Sequence, residues 1–93
     1  MQVMQKADVA EQVMVILAEQ AMVERSDVSP DQSLADLGLD SMGVVEVIFA
    51  VEETFGIDVP FNANAPEKSD FDVSSVASVI AAVETLVAQK SGR

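Results

Sequence analysis

Most of the side chains that do chemistry are missing from this chain. Its 93 residues include no His, no Cys, no Trp and no Tyr. Without imidazole there is no His general base, no Ser-His-Asp unit and no His-ligated metal. Without a thiol there is no disulfide, no thiolate zinc site and no thiol chemistry of the chain's own. No stretch carries the Asp-x-Asp-x-Asp-Gly pattern, so an EF-hand is excluded. One run stands out. Leu37-Gly38-Leu39-Asp40-Ser41-Met42 lies where turn-forming residues give way to helical periodicity. A serine hydroxyl at that junction is exposed and modifiable, but the chain holds no base to activate it. Taken in isolation, Asp40 and Ser41 are also simply good helix N-caps.

The elements that must position this run follow from hydrophobic spacing. Val9, Val13, Ile16, Leu17 and Ala21 recur every three or four residues and predict a first helix over about Ala7 to Glu24. Asp8 suits the positive end of its dipole and Arg25 the negative end. Ser26 to Asp40 reads as a loop, rich in Asp, Ser and Pro, with Pro30 blocking helix continuation. Val28, Leu34, Leu37 and Leu39 should pin it to the core, with a short helical turn over Leu34 to Leu37. The second helix should open at Asp40 or Ser41 and run to Phe55, with Gly56 as its stop. A third should run from Ser75 to Gln89, capped by Asp72, Ser74 or Ser75. Between these two, Pro60, Asn62, Asn64 and Pro66 punctuate an irregular stretch, with Ile57 and Val59 extended and one short helix near Ala65 to Asp70. The expected architecture is all-α: three or four helices around one core, a single domain over 1–93 with 1–6 and 90–93 frayed.

The charge is lopsided, 5 Lys+Arg against 16 Asp+Glu, net −11. Such a surface repels phosphate backbones and anionic lipid heads and favours basic partners. At 49% hydrophobic the chain is nonetheless a folding sequence. The N-terminus lacks the pattern of a secretory signal and no apolar run reaches 18 residues, so a cytoplasmic location is expected. No basic residue occurs between Arg25 and Lys68, whereas Asp27, Asp31, Asp36, Asp40, Glu46, Glu52, Glu53, Asp58 and Glu67 do. The acidity therefore concentrates on the loop and the second helix. That helix has two apolar faces. Val44, Val47, Ile48, Val51 and Phe55 make the core side; Met42, Val45 and Phe49 lie opposite among Glu46, Glu52 and Glu53. The second face suits a partner with a hydrophobic slot rimmed by Lys or Arg.

The hexapeptide, its place at a helix start, the acidic helix after it and the later Phe55-Gly56-Ile57-Asp58-Val59-Pro60 together resemble acyl carrier proteins. The resemblance covers most of the chain. It implies a non-catalytic carrier whose Ser41 bears 4′-phosphopantetheine, delivered from coenzyme A by a phosphopantetheinyl transferase with Mg²⁺. It implies that the cofactor's thiol holds an acyl group as a thioester. The chemistry fits: a phosphate at a helix start meets unpaired backbone N–H groups and the positive dipole end. Gly38 and Leu39 lead the chain into the motif, Gly38 permitting a tight turn, and Asp40 would cap the helix and be read by the transferase. Met42, Val45, Glu46, Phe49, Glu52 and Glu53 would form the docking surface for the transferase and for a ligase, synthase or acyltransferase with a basic patch. Val13, Leu17, Val47, Ile48, Val51, Phe55, Val79, Ile80 and Val83 would line any cavity for the cargo. No metal, nucleic acid or membrane insertion is expected, and a monomer keeps Ser41 accessible.

Two features depart from the housekeeping fatty-acid carriers. Gly43 stands two places after the serine, where an acid is common, and weakens the helix by up to about 1 kcal/mol against Ala. The segment Phe61 to Asp72 exceeds the usual connector. Both favour a specialised carrier of one dedicated lipid or secondary-metabolite pathway. Asp40-Ser41-Met42-Gly43 is also similar to the motif of D-alanine carrier proteins, which makes an aminoacyl carrier the alternative. A third reading, from another class, is an acidic helical binding module with no prosthetic group.

Overall fold

The computed structural model describes residues 6–60 and 72–91. Among them are three helices and two 3₁₀ turns, and no strand: α1 (Lys6–Ala21), turns at Arg25–Asp27 and Ala35–Leu37, α2 (Ser41–Phe55) and α3 (Val76–Ser91). The short helix expected over 65–70 lies outside the described residues. So do 1–5 and 92–93 of the expected frayed ends, while Lys6 opens α1 and Lys90 and Ser91 close α3.

α1 packs against both other helices. Val9, Val13, Ile16, Leu17 and Ala18 of α1 are buried against Val47, Ile48 and Val51 of α2 and Val76, Val79, Ile80 and Val83 of α3. Val28, Leu34 and Leu37 from the loop and Ile57 after α2 complete the core, and Leu39 packs half-buried beside it. The four predicted loop pins therefore all reach inward. Half of the buried side chains are valine, a residue that loses rotamer freedom in a helix. These helices stand on their packed faces more than on intrinsic propensity. No polar or charged residue among those described is buried.

α1 ends at Ala21, three residues before the expected Glu24. Met22 takes a left-handed conformation, φ 60°. Its N–H donates to Glu19 O and that of Val23 to Ala18 O at 3.0 Å, the paired bonds of a Schellman stop. Methionine carries no composition signal for that geometry. Arg25 consequently lies beyond the helix and does not serve its dipole. It reaches back instead, Nε to Glu11 Oε2 at 2.8 Å and Nη2 to Glu11 Oε1 at 2.7 Å, fastening the loop to α1. This fork holds the Glu11 carboxyl below its ordinary range, chiefly through the hydrogen bonds from the guanidinium.

The loop is tied at its other end to α3. Val76 N donates to Gln32 O and Ala77 N to Pro30 O, both at 2.9 Å. The Gln32 side chain braces the same corner, accepting from Ser29 N and donating to Asp27 O. Ser75 is the effective cap, its Oγ accepting from Ser78 N at 3.1 Å. The carboxylate of Asp72 accepts from Ser74 N just upstream, which lowers its pKa. Three of the N–H groups that a helix start leaves without partners thus find acceptors.

Candidate functional site

The loop delivers the chain to α2 through two local devices. Ser33 and Asp36 exchange reciprocal bonds, Ser33 N to Asp36 Oδ2 and Asp36 N to Ser33 Oγ, which open the Ala35–Leu37 turn. Gly38 closes it at φ 84°, allowing Leu39 N to reach Leu34 O at 3.2 Å. A Cβ at Gly38 would meet nothing within 4 Å. Glycine is favoured there by backbone conformation alone.

Asp40 and Ser41 then divide their duties. Asp40 is the N-cap, extended at φ −93° and ψ −172°, its Oδ1 accepting from Gly43 N at 2.8 Å. Ser41 is the first helical residue and is exposed. Its hydroxyl has no partner among the described residues, and neither have the N–H groups of Ser41 and Met42. An anion on Ser41 Oγ would sit against those two donors and the positive end of α2. The phosphodiester of a pantetheine arm fits this chemistry. No group of three or more possible metal ligands occurs among the described residues.

Beside Ser41 lies an apolar groove of about 350 Å³. Among the described residues its walls are Ser33, Leu34 and Ala35 from the loop, Leu39 to Ser41 at the helix entrance, Val44 and Val45 of α2, and Val73 and Ser74 before α3. None of the nine core residues expected to line a cargo cavity borders it. Those helix interfaces are closed: Val13, Leu17, Val51, Val79 and Val83 have no solvent exposure at all. The groove is built from segments far apart in sequence, so Ser33, Ala35, Val73 and Ser74 were missed. An apolar Val73 just upstream of a helix cap was the available signal.

The far face of α2 is open. Met42 and Phe49 are 66% and 61% exposed, and Glu46 and Glu53 are exposed with them. Val45 is half-buried and doubles as groove wall. Glu52 is also half-buried and partly committed, its Oε2 accepting from Val59 N at 2.9 Å. Below Phe49, the edge between α2 and its exit carries Glu52, Glu53 and Asp58 around a shallow hollow. A cation does approach α2 in three dimensions, but not to neutralise these acids. Lys90 Nζ donates to Gly56 O at 2.6 Å, capping the helix's negative end. The only ion pair among the described residues is Arg25 with Glu11.

A family model described as the phosphopantetheine attachment site matches residues 11–83. The chain is 38% identical over 80 residues to an acyl carrier protein of Guillardia theta, covering 80% of this chain and 99% of that relative. It is 43% identical over 51 residues to the acyl carrier protein of Helicobacter pylori strain G27, covering 54% of this chain and 65% of that one. A small helical carrier is thus the class that fold and matches define. The chain belongs to the acyl carrier protein family. Its members are non-catalytic carriers whose prosthetic group is 4′-phosphopantetheine, and they work with a phosphopantetheinyl transferase and with synthase enzymes.

Proposed function

We propose that Ser41 is the attachment residue and that residues 1–93 act as one monomeric, cytoplasmic carrier domain for an acyl group. The observation that carries this reading is the division at the start of α2. Asp40 does the capping, so the exposed Ser41 hydroxyl is left with no structural duty among the described residues. In the loading step Ser41 Oγ attacks the phosphorus of coenzyme A that bears the pantetheine arm. The Oγ–P bond forms, the bond to adenosine 3′,5′-bisphosphate breaks, and the hydroxyl proton passes to a base on the transferase. This chain supplies the nucleophile's position, two N–H donors and the helix dipole for the product's charge. When bound, the arm supplies the thiol that holds cargo as a thioester.

Met42, Val45, Phe49, Glu46 and Glu53 form the docking surface for a basic patch on the transferase and on the enzymes that load and use the cargo. Glu52 adds charge there while also holding the connector. Gly43 and the long segment before α3 support a dedicated lipid or secondary-metabolite pathway. The test is intact mass after incubation with coenzyme A, Mg²⁺ and a broad transferase. One added phosphopantetheine, absent in Ser41→Ala, supports the reading. No addition, or addition retained in Ser41→Ala, overturns it and favours the bare binding module or another attachment site.

A further inference from the structure

Oxidation chemistry in this chain is confined to one residue type. With no Cys, His, Trp or Tyr, the thioethers of its five methionines are the readily oxidised side chains. Met1 and Met4 lie outside the described residues. Met14 is half-buried and packs against the core. Met22 and Met42 stand open, at 91% and 66% exposure. Met22 follows the last residue of α1, whereas Met42 is the second residue of α2, next to Ser41. Met42 belongs neither to the core nor to the side chains packed on it.

Position gives Met42 its consequence. An enzyme acting at Ser41 Oγ must come over the neighbouring residue, and Met42 heads the strip that continues through Val45 and Phe49. The first turn of α2 holds no acid. What a partner meets beside the serine is therefore a thioether and not a charge. We propose that Met42 is a modification site for oxidants of the peroxide class, and that its sulfoxide weakens docking at the serine end of α2. This rests on docking along α2 and attachment at Ser41, and goes beyond both by making the contact redox-dependent. The Met42 sulfur attacks one oxygen of hydrogen peroxide. The S–O bond forms, the O–O bond breaks, and the other oxygen leaves as water with both peroxide protons. Sulfur is oxidised and peroxide reduced. The new oxygen is a strong acceptor, and an apolar slot on a partner leaves it without a donor. The fold itself is spared, because the side chain stands in water rather than in the core.

The sequence isolates the readout. Met42 is the only methionine between Arg25 and Lys68, so the tryptic peptide 26–68 reports its sulfoxide apart from every other methionine. The chain without its arm is treated with hydrogen peroxide, cleared with catalase, and offered to the transferase with coenzyme A and Mg²⁺. Met42 should gain one oxygen sooner than Met14. The kcat/KM of loading should fall about five-fold or more in step with that gain. At doses that leave Met14 intact the melting temperature should not move. Methionine sulfoxide reductases acting on both epimers should restore the rate. Each variant is compared with itself: the ratio of treated to untreated rate should stay unchanged for Met42→Leu and fall as in wild type for Met22→Leu. A full loading rate with Met42 oxidised would overturn the proposal. So would an equal loss in Met42→Leu, a loss that the reductases do not reverse, or a melting temperature that drops with the Met42 sulfoxide. Untreated chain that gains no phosphopantetheine, or Ser41→Ala that does gain it, sinks the attachment reading instead. A footprint decides the proposal without loading: excess transferase should slow oxidation of Met42 on Ser41→Ala chain and leave Met22 unaffected, and equal Met42 rates with and without transferase would overturn it.

Discussion

At the scale of single residues, Asp40 and Ser41 separate two quantities that the motif could have entangled. Asp40→Ala removes the bond from Gly43 N and should cost about 1 kcal/mol in denaturant unfolding. Ser41→Ala should stay within about 0.5 kcal/mol of wild type, because nothing among the described residues depends on its hydroxyl. The same substitution should eliminate the mass gain. Leu17, with no exposure in the core that the three helices share, should cost about 2–5 kcal/mol as Leu17→Ala. Glu11 provides a pH handle. Its folded pKa is lowered by the Arg25 fork, so its stabilisation is present above the ordinary glutamate value. It is lost as pH falls through the lowered one. Glu11→Gln should therefore flatten that part of the acid limb in a plot of stability against pH and leave the neutral region less stable.

At the scale of elements, stops and starts differ in how openly they are written. Glycine ends α2 at φ 65°, methionine ends α1 at φ 60°. Only the first could be read from residue type, since glycine alone reaches that conformation without a Cβ penalty. Met22→Gly should accordingly raise stability by up to about 1 kcal/mol, and Met22, at 91% exposure, has no packing to lose. Gly56→Ala should do the reverse, combining left-handed strain with a Cβ 2.7 Å from Lys90 Nζ. Thermal melts of the pair check both signs. The start of α2 was legible because cap and helix are neighbours in sequence. So were the apolar stripes, which repeat within each helix. The end of α1 was not, and Arg25 was misassigned with it. The groove was illegible for another reason: residues 33–35, 39–45 and 73–74 meet only after the loop's carbonyls have captured the first turn of α3.

At the scale of the molecule, 16 carboxylates face 5 cations. Among the described residues one cation is spent on Glu11 and another on a backbone carbonyl. Among the described residues no cation pairs with the acids of α2, which repel one another. Moderate salt should raise the melting temperature by screening that repulsion, since the Debye length falls to about 10 Å at 0.1 M. It should slow modification by the transferase over the same range, because the field that strains the fold also draws in a basic partner. Salt series of melting temperature and of loading rate should run in opposite directions. Parallel trends would mean that the acidic face plays no part in encounter.

The cap at Asp40 has one more consequence, for the life history of the molecule. A carrier is modified, charged, discharged and sometimes stripped, and each event changes what hangs from a single oxygen atom. Had that oxygen also closed the helix, every change of cargo would have been a change of fold stability, and the partners would meet a differently frayed surface each time. With the neighbouring carboxylate holding the turn, a helix entrance loaded at Ser41 as proposed should keep one shape through the whole cycle. Enzymes with unrelated chemistries can then recognise the same handle and differ only in what they do to its load.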